Sequence, residues 1–295
     1  MSNNSLSKRA FLAGCGCAVC APIVGKPTSV FAQQDGDTAE VIACAPLMPE
    51  ADGAEALAAA EAELALEHEG IVSTSSEEAA ALRIHPKWGR WNPKRGDPDN
   101  PKPLRVGFVQ PNHSMVDTVI TAGKDWQEHM GLSFDFEATD RLDILVQFDS
   151  AGNNSYMGAA SRAKAREGRP TLRLQKFPLF TSRRVKLGSA RLVLGHALGL
   201  IHEHQNPEAD LEFDEDAVIA YYKEKLGWKA EKTRLNVLKD YSAQIDDATS
   251  FDAKSIMMYA LPQGLVQNYT TAFSKNYVIS DLDKELIGRI YPKLT

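Results

Sequence analysis

The sequence predicts an α+β fold, and three observations carry that prediction. Strand-like segments surround one amphipathic helix between residues 104 and 177, an apolar helix follows near residue 191, and a capped helix closes the chain. The 295 residues, 43% hydrophobic and 24% charged, suffice for one sizeable domain with an extension, or for two small domains. A net charge of −6 argues against the globally basic surface that binds nucleic acid.

The chain opens as an export signal over residues 1–32. Ser7-Lys8-Arg9 is its basic start, Ala10 to Gly25 its apolar run, and Ser29-Val30-Phe31-Ala32 a small-residue cleavage site. That run is shorter than the roughly 20 residues a membrane-crossing helix needs, so removal is expected rather than anchoring. SKRAFL resembles a twin-arginine export signal with Lys in the first basic place. Leu12-Ala13-Gly14-Cys15 has the form of a bacterial lipobox, but only about five apolar residues precede the cut, which disfavours a lipid anchor. Cys15, Cys17 and Cys20 would leave with the signal, so Cys44 has no partner for an intrachain disulfide.

Residues 33–85 are acidic and rich in alanine, an extension or pro-segment. Ala51–Glu69 favours helix by composition but carries only a thin apolar stripe at Leu57, Leu64 and Leu66. Prolines then crowd Pro86 to Pro103 around Trp88 and Trp91, an irregular entry to a folded domain at 86–295. Leu104–Val109 reads as a strand. Ser114 can cap a helix running to about Met130, with Val116, Val119, Ile120, Gly123 and Trp126 on one face and Gly131 as its stop. Ser133–Glu137, Asp143–Phe148 and Thr171–Phe177 read as strands. After the apolar helix come one from Asp214 to Lys225 stopping at Gly227, another around Ala230–Leu238, and a last from Ser280 to about Tyr291. Ser280 and Asp283 can form a capping box there.

Chemistry concentrates in Arg191–Pro207, RLVLGHALGLIHEHQNP. On an unbroken helix His196 and His202 would lie about 120° apart and could not share a ligand. Gly199 tolerates the left-handed conformation that ends helices, so the chain can turn back and the two imidazoles can converge. Glu203-His204 follows at once.

GHALGLIHEHQNP resembles the zinc helix of metzincin metallopeptidases, in particular the astacin-like branch, whose motif is H-E-x-x-H-x-x-G-x-x-H followed by Glu-His. Ser255-Ile256-Met257-Met258-Tyr259 resembles the Met-turn, the tight loop whose methionine lies beneath the metal. SYMG at 155–158, the FDEDAVIAYY helix and the closing SDLDKELIGRIYP helix are similar to bacterial members. The resemblance implies a two-lobed fold: a twisted mixed sheet with two helices above, and an irregular lower lobe with the Met-turn and the C-terminal helix. It also implies a protein or peptide substrate that would lie extended along an edge strand.

 It further implies a monomer acting in the periplasm or outside the cell, with no nucleic-acid partner and no membrane span. His196 and His202 would be zinc ligands, Tyr259 a contact to the zinc or the transition state, His204 a weaker candidate ligand, and Gly199, Glu203 and Met257 structural supports. In the family, zinc polarises a water that the motif Glu deprotonates for attack on a peptide carbonyl.

The chain departs from that pattern at its centre. Counting back from His196, the first ligand and the general base fall on Leu192 and Val193, which can neither bind zinc nor move a proton. Inserting His-Glu-x between Leu194 and Gly195 restores the motif, the signature of a three-residue deletion. Such a loss turns the upstream helix by about 60° and shortens it by about 4.5 Å. Zinc is therefore expected at weak or partial occupancy, and loss of the base alone removes about 10²–10⁴-fold in rate. The expected function is an exported zinc metalloendopeptidase by family, impaired in this chain. The alternatives are an inactive relative that binds peptides and a purely structural exported domain. His113 and His129 flank the first helix as surface or cap residues, Cys44 lacks the surroundings of a zinc-blocking thiol, and Tyr221, Tyr222 and Trp228 read as packing.

Overall fold

The computed structural model describes residues 44–47, 91, 102–149, 152–177, 179–239 and 249–293. The export signal, the Ala-rich helix and most of the proline-rich entry lie outside the described residues. Six strands form one mixed sheet: β1 (Cys44–Leu47), β2 (Leu104–Val109), β3 (Phe134–Asp135), β4 (Ile144–Asp149), β5 (Asn153–Tyr156) and β6 (Leu172–Gln175). Their order across the sheet is β1-β5-β6-β4-β2-β3. Val106 pairs with Ile144 and Val146 with Leu172 in parallel register, whereas β5 runs antiparallel to β6. β2 and β4 are nearly continuous apolar runs, as strands of a parallel sheet covered by other layers must be.

The helices are α1 (His113–Gln127), α2 (Ser161–Arg166), α3 (Arg183–Ala197), α4 (Glu215–Leu226), α5 (Ala230–Thr233, continued as a wide turn over Arg234–Leu238) and α6 (Asp281–Ile290). α1 and α3 bury their apolar faces with the sheet in one core that includes Val119, Trp126, Val146, Leu172 and Leu194. The Trp126 indole N–H donates to the Arg191 carbonyl at 3.0 Å, and the Arg191 guanidinium meets Asp125 at 2.6 Å, pinning the two helices. A second core gathers Val218, Tyr222, Val237, Met258, Tyr259 and Leu261. Adjacent residues Met257 and Met258 thus belong to different cores, and the SIMMY loop stands where the lobes meet. The closing helix, expected with the lower lobe, adds Leu286, Ile287 and Ile290 to the first core.

Several boundaries differ from the sequence reading. The cap of α1 is Asn112 rather than Ser114: its extended backbone and side-chain acceptor for Met115 N start the helix two residues earlier. Ser133–Glu137 yields only the two-residue β3, because the chain turns at Phe136 and Glu137 and the Asp135 carboxylate accepts the Glu137 N–H. β1, β5 and α2 carry too little apolar periodicity to be read locally; pairing with neighbours makes the two strands. The Asp214 cap, the Gly227 stop with φ 65° and the Ser280–Asp283 capping box are present as expected.

Candidate metal centre

α3 ends in a Schellman turn. Leu200 N–H donates to Gly195 O at 2.9 Å, Gly199 N–H to His196 O at 2.8 Å, and Gly199 takes φ 97°. That left-handed residue turns the chain back toward the helix end. The imidazoles of His196 and His202 consequently come together, edge to face, with centroids 4.5 Å apart. Tyr259 lies 4.0 Å from His202 and 4.7 Å from His204, whose ring stacks 5.2 Å from that of His202. Beside them, a Cβ placed on Gly195 would sit 2.4 Å from the Met257 sulfur, so glycine is what lets the helix approach the SIMMY loop. His113 and His129 stand at the two ends of α1, apart from this cluster, and Cys44 begins β1. Tyr222 stacks on Trp228 at 5.3 Å within the second core.

Backbone carbonyls set the tautomers. His196 Nδ1–H donates to Leu200 O at 2.7 Å and His202 Nδ1–H to Met257 O at 3.3 Å, which leaves each Nε2 with its lone pair. His204 is turned the other way: Nε2–H donates to Asn236 O at 3.3 Å, and Nδ1 keeps the lone pair. His196 Nε2 and His204 Nδ1 are buried without a hydrogen-bond partner. Glu203 is fully buried beside them. Its Oε1 accepts from Asn206 Nδ2 and from Asp252 N, each at 2.9 Å, tying the motif to the segment that enters SIMMY.

Burial lowers the His196 pKa to about 4 against a weaker opposing effect of the Leu200 carbonyl, and lowers that of His204 to about 3. Unfolding would return both toward 6.5. Above pH 6.5 both states are neutral and stability is full; below it the unfolded chain takes up protons that the folded chain refuses, until pH reaches about 4 for His196 and about 3 for His204. The urea midpoint of the metal-free chain should therefore fall between pH 6.5 and 4, and His204→Asn should make that fall shallower. An unchanged slope in the variant would contradict this assignment.

The first half of the motif offers no ligand. Leu192, Val193 and Leu194 are buried in the first core, with Leu192 one helical turn before His196. Among the described residues no group of three or more His, Cys, Asp or Glu side chains is arranged to hold a metal ion. The stacking of His204 on His202 accords with this, since packed rings need not direct their lone pairs to one point. A catalytic zinc takes three protein ligands plus water. The imidazoles of His196 and His202 meet that requirement only in part. Sequence reasoning missed Trp91 and Tyr291 at the helix end and the grip of Asp283 on SIMMY; only the Ser280–Asp283 cap had a local signal.

The fold around this cluster is also found among solved structures. That of myroilysin matches at TM-score 0.64 and 24% identity, covering 72% of this chain and 99% of that one. A myroilysin crystal structure matches at TM-score 0.49 and 26% identity, over 74% and 94% of the two chains. High choriolytic enzyme 1, a hatching enzyme zinc-protease from the medaka fish Oryzias latipes, matches at TM-score 0.41 and 14% identity, over 76% and 100%. The chain has an astacin-like metzincin fold. No family model and no curated protein matches it.

Proposed function

We propose that the chain is an exported protein of the zinc metalloendopeptidase lineage whose hydrolytic centre is incomplete. The observation that carries this reading is the cluster itself: His196, His202 and Tyr259 pack together beside Met257, while Leu192 and Val193 occupy the places of the first ligand and the base. His196 and His202, with Tyr259 as a third contact, would hold zinc weakly. Proteins or peptides are the substrate class, and the chain acts as a monomer. No described helix is long and apolar enough to cross a membrane. The reading of residues 33–85 as a pro-segment draws support from β1, which pairs with β5 along the edge of the sheet. That edge is where an extended peptide would add as a strand.

A second reading, a relative that grips peptides without cutting them, is favoured by the apolar side chain at position 193. Zinc competition against a chromophoric chelator, with casein hydrolysis measured with and without chelator, tests both readings. The expected result is weak zinc binding that His196→Ala abolishes, with hydrolysis near background. Tightly retained zinc with vigorous chelator-sensitive hydrolysis would show a complete centre and refute the impaired reading. Peptide binding without any zinc binding would favour the second.

A further inference from the structure

The turn after α3 is closed by two side chains from opposite ends of the domain. The last carbonyls of a helix lack intrahelical partners, and the bend at Gly199 carries the chain away from those of Ala197 and Leu198. Trp91 Nε1–H donates to Ala197 O at 2.7 Å and Tyr291 Oη–H to Leu198 O at 2.8 Å. Trp91 N–H in turn donates to Tyr291 Oη at 3.3 Å, joining the two. Both residues are buried, and Arg162 lies over the indole, 5.1 Å from its centroid.

We propose that Trp91 and Tyr291 are positioning residues for the candidate metal centre, clamping the helix end that aims His196. The linkage is short. His196 Nδ1–H is held by Leu200 O, and Leu200 N–H is held by Gly195 O, so residues 197–200 form a loop fastened to the ring. The clamp grips that loop at its first two carbonyls. Without it the turn can open while α3 stays helical upstream, and His196 Nε2 loses its fixed direction. Hydrogen-bond partners that orient metal-binding histidines typically carry about 10–100-fold in metal affinity.

Trp91→Phe keeps an aromatic slab beneath Arg162 and removes the indole donor; Tyr291→Phe removes only the hydroxyl. Amide exchange in the full chain is compared with Val106→Ala, a core variant in β2 that weakens the fold away from the turn. At matched global stability, the Gly199 and Leu200 amides of the clamp variants should exchange about tenfold faster than in the control. The His196 imidazole ¹⁵N signals should shift from the Nδ1–H tautomer toward a mixture. Exchange and tautomer no different from the Val106→Ala control would overturn the proposal; if Trp91→Phe fails to fold, Tyr291→Phe decides. A zinc-affinity arm, expected to fall about 10–100-fold, rests on the metal reading above. Absence of zinc binding by the unaltered chain would count against that reading, while exchange still judges the clamp.

Discussion

Leu192→His with Val193→Glu, which writes H-E-L-G-H-A-L-G-L-I-H in place, is expected to raise chelator-sensitive casein hydrolysis by about 10²–10⁴-fold. Position 192 stands one turn before His196, and residues four apart share a helix face. α3 is continuous over Arg183–Ala197, so the pair needs no change of backbone. The cost is local: both positions are buried, and a larger, polar side chain at 193 should destabilise the metal-free chain by about 1–3 kcal/mol. Zinc should recover much of that loss. Inserting His-Glu-Phe after Leu194 reaches the same motif by another route, turning the upstream helix by about 60°. It must re-form the Trp126–Arg191 bond and the Arg191–Asp125 pair, so the insertion is expected to melt lower than the substitution. No gain from either repair would mean that the scaffold itself is no longer competent.

Asp283→Ala is expected to cost about 3–5 kcal/mol, because one carboxylate serves two elements. Oδ1 accepts from Ser255 Oγ at 2.6 Å; Oδ2 accepts from Ile256 N at 2.8 Å and from Ser280 N at 2.9 Å. Ser255 Oγ itself accepts from Met257 N at 3.0 Å, so the grip reaches the methionine beside Gly195. Alanine leaves buried N–H groups at the SIMMY loop and the start of α6 unpaired. For a domain of this size the melting temperature should drop by about 10 °C. Asp283→Asn should recover little, since its amide can present only one acceptor oxygen to donors now shared by two. A drop of only one or two degrees would show that the loop is held by packing instead.

Much of the scaffold was legible because its signals are local. The Asp214 cap, the Gly227 stop and the Ser280–Asp283 box act within a few residues, and the apolar runs of β2 and β4 mark strands buried on both faces. The bend between His196 and His202 could be argued from Gly199 because a positive φ is a property of one residue. The cap of α1 lies two residues before the one its sequence suggests, because Asn112 and Ser114 offer similar acceptors and backbone direction chooses between them.

By itself, the sequence determined the order of the longer helices and of strands β2, β4 and β6, the meeting of two histidines around a glycine, and the apolar residues that fall at the ligand and base positions. Each of these is written in residue type and short spacing. Only the tertiary structure decided that Asp283 holds the SIMMY loop as well as its own helix, that Trp91 and Tyr291 close the turn after α3, and that Cys44–Leu47 edges the sheet. Those contacts join residues far apart in the chain. Hydrogen-bond donors and acceptors of that kind carry no periodicity, and only the packed core brings them within bonding distance.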